Sequence, residues 1–240
     1  MNIFSTIYYA ILYQPMLNFL VLVYIFTNNF GVAVIVLTIL IRWLMNPLNK
    51  KAIESQKVMA EIQPKIKELQ EKYKTNPEKQ AQEMIALYKE KKFNPFSSIF
   101  LLFIQIPIII ALFQIFKGGI AIDPQYIYSF VHLPETINPY FLGIDLSQPN
   151  IFLAILAAVG QYFQAKTSSP KKDDEGTKDK ATQITDMMQK QMVFILPIMT
   201  LFILLSLPSA VGVYWLITTA MTIYQQKQIL KENNDQSRRN

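Results

Sequence analysis

One arginine stands where the chain can least accommodate it. Arg42 follows the apolar run Gly31 to Ile41 and precedes a polar exit at Asn46 and Pro47. At about 1.5 Å per residue it lies roughly 16 Å beyond Gly31, within any bilayer that the run crosses. A guanidinium at mid-bilayer costs at least about 2.5 to 3.5 kcal/mol on insertion scales unless it faces water or reaches the aqueous boundary. Uncharged polar residues share the apolar segments: Thr38, Gln105, Gln114, Gln161, Gln164, Ser206, Thr218, Thr219 and Gln225. Some serve as hydrogen-bonding glue between helices. Asp and Glu are absent from these segments. Arg42 therefore lacks an evident counter-ion, and an unpaired guanidinium in a polar groove is suited to attract a visiting acid.

Other chemistry is sparse. His132 is the single histidine, there is no cysteine, and no acidic pair accompanies either. Disulfides and thiolate metal sites are excluded, and no catalytic residue, metal or cofactor is expected. Tyr214 and Trp215 lie five to six residues past a turn at Pro208. That depth suits an interfacial anchor or a groove-lining role.

The elements that must position Arg42 follow from hydropathy and charge. Of the 240 residues, 51% are hydrophobic, and they cluster into runs. Near-continuous apolar stretches cover 31–43, 99–116, 151–159 with an extension to 165, and 192–224; the last is long enough for two spans divided at Pro208. All 23 Lys and Arg are accounted for by Arg42, Lys117 and the segments 47–94, 166–190 and 227–240, whereas 1–41 and 118–165 carry none. Basic loops stay in the cytoplasm, which predicts the N-terminus outside, the C-terminus inside and five crossings. Acidic residues intersperse the basic blocks, so the net charge of +6 marks solvated surfaces and does not form a nucleic-acid stripe.

The predicted fold class is all-α: a polytopic membrane protein with five transmembrane helices, a cytoplasmic helical hairpin and an N-terminal interfacial helix. The expected boundaries are an external interfacial helix over 1–29, span one over 30–48 and a hairpin over 49–93. Span two over 95–117 leads to an external segment over 118–149 and span three over 150–166. A flexible loop over 167–190 precedes span four over 191–207, span five over 209–227 and a tail over 228–240. A sixth span within 1–26 would leave the N-terminus inside without one basic residue, so an interfacial helix with Tyr8, Tyr9, Tyr13 and Tyr24 at headgroup level is expected. In the hairpin, Val58, Ile62, Ile66, Leu69 and Tyr73 recur at helical spacing, and Asn76, Pro77 and Glu78 mark the second helix start. The hairpin reads equally as a solvated spacer or as a docking arm for ribosome, nascent chain or targeting factors. The external segment, with Pro124, Pro134, Pro139 and Pro149, is expected to be mostly irregular.

Three ordered blocks carry a resemblance. The stretch GVAVIVLTILIRWLMNPLNKKAIESQKVMAEIQPKIKELQEKYK resembles the first span and hairpin of the YidC/Oxa insertase family. NPFSSIFLLFIQIPIIIALFQIF is similar to that family's second span, and LPIMTLFILLSLPSAVGVYWLITTAMTIYQQKQI to its last two. With the short span ending QYFQAK, the likeness covers about residues 30 to 230. Thr218 and Thr219 stand where the family usually has asparagine, and Ser97 to Phe100 lack its usual Gly, Cys and Pro.

The resemblance implies a protein of the bacterial cytoplasmic (inner) membrane with a hydrophilic groove closed toward the outside and open toward cytoplasm and lipid. Substrate-binding positions carried over are Arg42, Gln164, Gln161, Trp215 and Tyr214, with Thr38, Gln105, Thr218 and Thr219 nearby. The implied partners are nascent membrane proteins and the lipid bilayer; ribosome, targeting factors and Sec translocon are further candidates, and no specific nucleic acid is expected. Spans of about 15 and 16 residues at 151–165 and 192–207 fall below the roughly 20 that a bilayer requires, so lipid should thin around them. A channel or solute transporter is the alternative reading of polar residues in spans, but it predicts intramembrane acids or broken helices and leaves the hairpin unexplained.

Overall fold

The computed structural model describes residues 3–94, 96–117, 122–168 and 193–237. Most of the expected flexible loop lies outside the described residues.

The chain begins with helices α1 (Ile3–Tyr8) and α2 (Gln14–Thr27), fused through a π-helical turn at Tyr9–Tyr13. Asn28 closes α2 in the left-handed conformation at φ 48°, which its short polar side chain tolerates. Asn29 then starts α3 (Phe30–Leu44) by accepting a hydrogen bond from the Val32 amide at 3.1 Å. α3 ends short of the expected boundary at residue 48. Pro47 does not stop the chain there; it occupies the first turn of α4 (Asn46–Lys72), where a missing N–H costs nothing, and the axis bends by 65°. α5 (Pro77–Glu90) returns antiparallel, capped by Asn76 on the Lys79 amide. Ile62, Ile66 and Leu87 form the hairpin's own small core, with Val58, Met59 and Leu69 packed around it.

Four further helices complete the bundle: α6 (Phe96–Lys117), α7 (Ile151–Ser168), α8 (Val193–Leu204) and α9 (Ser209–Ser237). α9 is central, packing along both α7 and α3. Small residues permit the approach of α7: Ala154 and Ala157 are fully buried, and a Cβ on Gly160 would lie 3.4 Å from the Thr219 methyl. Among the described residues only Ser5–Thr27 is long and apolar enough by itself to cross a bilayer; Phe103–Lys117 and Val193–Leu204 are apolar but shorter. Side chains that a water-soluble protein would bury face outward, including Trp43 at 68%, Phe152 at 76% and Phe202 at 66% exposure. Apolar side chains turned outward in this number suit lipid.

The segment between α6 and α7 is more ordered than its prolines suggest. A 3-10 turn at Pro124–Tyr126 is followed by an antiparallel ribbon of β1 (Tyr140–Phe141) and β2 (Ile144–Asp145), turned through Leu142 and Gly143 at positive φ. The segment meets the ends of two helices. Carbonyls of Gln148 and Leu146 accept from the first amides of α9, Ser209 and Ala210, at 2.9 and 3.0 Å, satisfying donors that the helix cannot. Phe141 lies against Gly31, where any side chain would collide with the ring.

The N-terminal rod packs on α3, on the end of α6 and on this same segment. Tyr8 donates to Gln114 near the end of α6, and Tyr9 stacks on Tyr126 with ring centroids 5.0 Å apart. Asn18, 1% exposed, donates to the Tyr126 carbonyl and accepts from the Tyr128 amide, while Tyr24 accepts from the Asn138 amide.

Candidate functional site

Arg42 sits in the last turn of α3, 5% exposed, immediately before the bend. Above it, Phe30, Ala33, Val34 and Leu37 of α3 are buried against an apolar core that includes Leu112, Phe116, Leu146 and Val211. That plug closes the end of the bundle next to the β ribbon. Below it the character changes to polar.

A recess of about 300 Å³ opens beside Arg42. α6 contributes Gln105, α7 contributes Gln161 and Gln164, and α9 contributes Tyr214, Trp215, Thr218, Thr219 and Thr222. The first turns of α4 add Asn49, Ala52, Ile53 and Gln56. No Asp or Glu lines it among the described residues. Hydrogen bonds brace its walls: Trp215 Nε1 donates to Gln161 Oε1 at 3.1 Å, linking α9 to α7, and Gln105 donates to the Tyr214 hydroxyl, linking α6 to α9. At the rim, Gln225 donates to Asn46 at 2.8 Å and ties α9 to the bend. Arg42 Nη2 donates to the Thr222 hydroxyl, whereas Arg42 Nε and Asn49 Nδ2 are buried without a protein partner. The recess thus presents donors and one positive charge with no acidic partner among the described residues, an arrangement chemically suited to an acid or a carbonyl-rich chain.

The profile of the 60Kd inner membrane protein family matches residues 22–236. The chain belongs to that family. Members are YidC/Oxa-type membrane insertases that act on nascent membrane proteins, and the family is not a known class of enzyme. The mostly helical architecture agrees with a 60Kd inner membrane protein. The match begins within α2 and ends within α9, so it takes in every residue around the recess and leaves out Tyr8, Tyr9 and Tyr13.

Of the residues singled out in the sequence, Arg42, Gln105, Gln161, Gln164, Tyr214, Trp215, Thr218 and Thr219 all line the recess. Thr38 does not. It is 1% exposed one turn before Arg42, and its hydroxyl donates to the Val34 carbonyl at 2.7 Å, the local back-bond open to a helical threonine. Gln114 lies outside as well, beneath Tyr8. Two contributions escape the sequence reading. Thr222 lies between Thr219 and Gln225, one helical turn past Thr218 on α9, so the helical period that joins it to Thr218 was the signal for it. Asn49, Ala52, Ile53 and Gln56 follow i, i+3, i+4, i+7 spacing, a face legible in the sequence but assigned to the hairpin.

Proposed function

We propose that this insertase takes the hydrophilic external tail of a substrate into the recess from the cytoplasmic side, pairs its acids briefly with Arg42, and releases the apolar segment into lipid along α7 and α9. The observation that carries this reading is a buried guanidinium in a polar recess whose lining holds no carboxylate among the described residues. Its bond to Thr222 orients it without neutralising it, because a hydroxyl carries no charge. The apolar plug beside the β ribbon favours closure at the outer end, and the polar first turns of α4 favour entry from the other.

The five-span topology with the N-terminus outside belongs to the same proposal. Tyr8 lies about 28 Å along the rod from Thr27, yet it touches Gln114 only three residues before the end of α6. A rod crossing the bilayer beside α3 would carry Tyr8 to the opposite depth. Contact with the segment after α6 from Tyr9 to Tyr24 supports a rod lying across the outer end of the bundle. The short helices α7 and α8 support local thinning of the bilayer beside the exit path. No covalent step is needed; burial of the substrate's apolar segment drives release.

A paired-substrate assay tests the pairing step. Two single-span reporters, identical except for Asp or Asn in the external tail, are inserted by vesicles holding the wild-type or Arg42→Ala protein. A carboxylate about 4 Å from a guanidinium gains roughly 4 kcal/mol at an effective dielectric of about 20. Desolvation returns part of this, and a net charged hydrogen bond of about 1.5 to 3 kcal/mol leaves a loss of about tenfold to hundredfold for the Asp reporter. Equal insertion of both reporters by wild type and variant would defeat the proposal.

A further inference from the structure

We infer that Thr222 is the positioning residue for Arg42, holding the guanidinium in the recess as a neutral placeholder that a substrate acid displaces. The inference rests on the proposed pairing of substrate acids with Arg42 and deepens it.

Arg42 is only one turn from Asn46, and a side chain of its length can extend past that turn into water. Something must hold it back. Counted along α9, Thr222 lies about 20 Å below Ser209, and Arg42 lies about 18 Å below Phe30 on α3, so the two meet at similar depth. The Thr222 hydroxyl has one proton and two lone pairs. Its proton is committed to the Thr218 carbonyl at 2.9 Å, one turn back on the same helix. Only acceptor capacity remains, and it faces Arg42 Nη2.

This geometry sets three properties at once. The bond fixes one corner of the guanidinium fork to α9, so the charge stays inside the recess. It leaves Nε, buried and without a protein partner, for a second contact. Because the partner is uncharged, an incoming carboxylate offers the stronger, charge-assisted bond and displaces it. A resident Asp or Glu at the same place would neutralise the charge and compete with every substrate; a valine of the same shape would offer no acceptor and free the side chain to extend toward the rim.

The test uses the full-length protein in vesicles with the Asp and Asn reporters, and reads the ratio of their insertion. Thr222→Val should lower the Asp-to-Asn ratio about tenfold, the equivalent of about 1.4 kcal/mol of lost charged hydrogen bonding. Thr222→Ser, which keeps the hydroxyl, should restore the ratio to within about twofold of wild type, well inside the tenfold span that one such bond represents. Thr222→Asp should abolish the preference for the acidic tail. If Thr222→Val preserves the ratio while Arg42→Ala collapses it, the positioning role is wrong and the pairing stands. If neither variant changes the ratio, the pairing itself falls. Equal losses for both reporters in the Val and Ser variants would reduce Thr222 to a packing residue and overturn the inference.

Discussion

Adding one methyl group at Gly31 probes how the end of the bundle beside the β ribbon is closed. A Cβ there would lie 2.1 and 2.2 Å from Cγ and Cδ2 of the Phe141 ring and 2.6 Å from Phe141 Cβ. Carbon atoms settle at about 3.5 to 4.0 Å, so the ring must retreat by roughly 1.4 Å or more. Phe141 pairs with Ile144 in the ribbon, so the retreat pulls on the strand that precedes Leu146 and the α9 start. Overpacking of this kind costs about 1 to 3 kcal/mol. Replacing a helical glycine returns up to about 1 kcal/mol, so the net effect of Gly31→Ala on the natural background is a loss of roughly 0 to 3 kcal/mol. Truncation of Phe141 separates the two contributions. Phe141→Ala removes the ring contacts but keeps the Cβ at 2.6 Å; Phe141→Gly removes all three. Gly31→Ala should therefore destabilise most beside Phe141, less beside Ala, and turn stabilising beside Gly, with a coupling of about 1 to 3 kcal/mol across the series. Unfolding midpoints in mixed micelles, read by helical circular dichroism, measure it. The same stability change in all three backgrounds would refute the close contact.

Three further expectations use other parts of the molecule. Asn18→Leu strands the Tyr126 carbonyl and the Tyr128 amide at about 1 to 3 kcal/mol each, and chymotrypsin should cut the 122–150 segment faster; unchanged cleavage would contradict the bridge. Leu87→Ala should cost about 2 to 3 kcal/mol, confined to the hairpin. Tryptic cutting between α4 and α5 should then accelerate while the unfolding midpoint of the remainder stays put; a shift in that midpoint would show that the two cores are coupled. The chain has no natural cysteine, so Ile3→Cys and Phe26→Cys can be labelled singly, and both are exposed. A thiol reagent that does not cross the bilayer should reach both from the outside in intact cells; protection of Ile3→Cys alone would make the rod a span.

Composition and spacing made the helices, the hairpin core and the recess residues legible because each depends on local regularities: apolar runs, the Ile62 and Ile66 stripe, and polar residues that an apolar segment does not otherwise contain. Arg42 was conspicuous for the same reason. The missed parts depend on relations between distant segments. Nothing near Thr222 announces that it meets Arg42, since that contact spans 180 positions. The break at Met45 is hard to place from residue types because proline ends one helix and begins another with the same ease. Thr38 shares a helix with Arg42 yet satisfies its hydroxyl locally, a choice that residue type leaves open. The ribbon at 140–145 was hidden among prolines, where four residues with a two-residue turn give too little alternation to read.

The bend after Met45 makes the hairpin a lever pivoted at the edge of the recess. α4 extends about 40 Å from Asn46 to Lys72, whereas Ile53, on the recess floor, is only about 10 Å from the pivot. A push of about 4 Å at the tip of a rigid α4 would move that floor by about 1 Å. Pro64 inside the helix gives part of such a push a place to bend first, and the Gln225–Asn46 bond lies almost on the axis, where the arm is shortest. A displacement of the distal end would thereby be geared down before it reached the arginine.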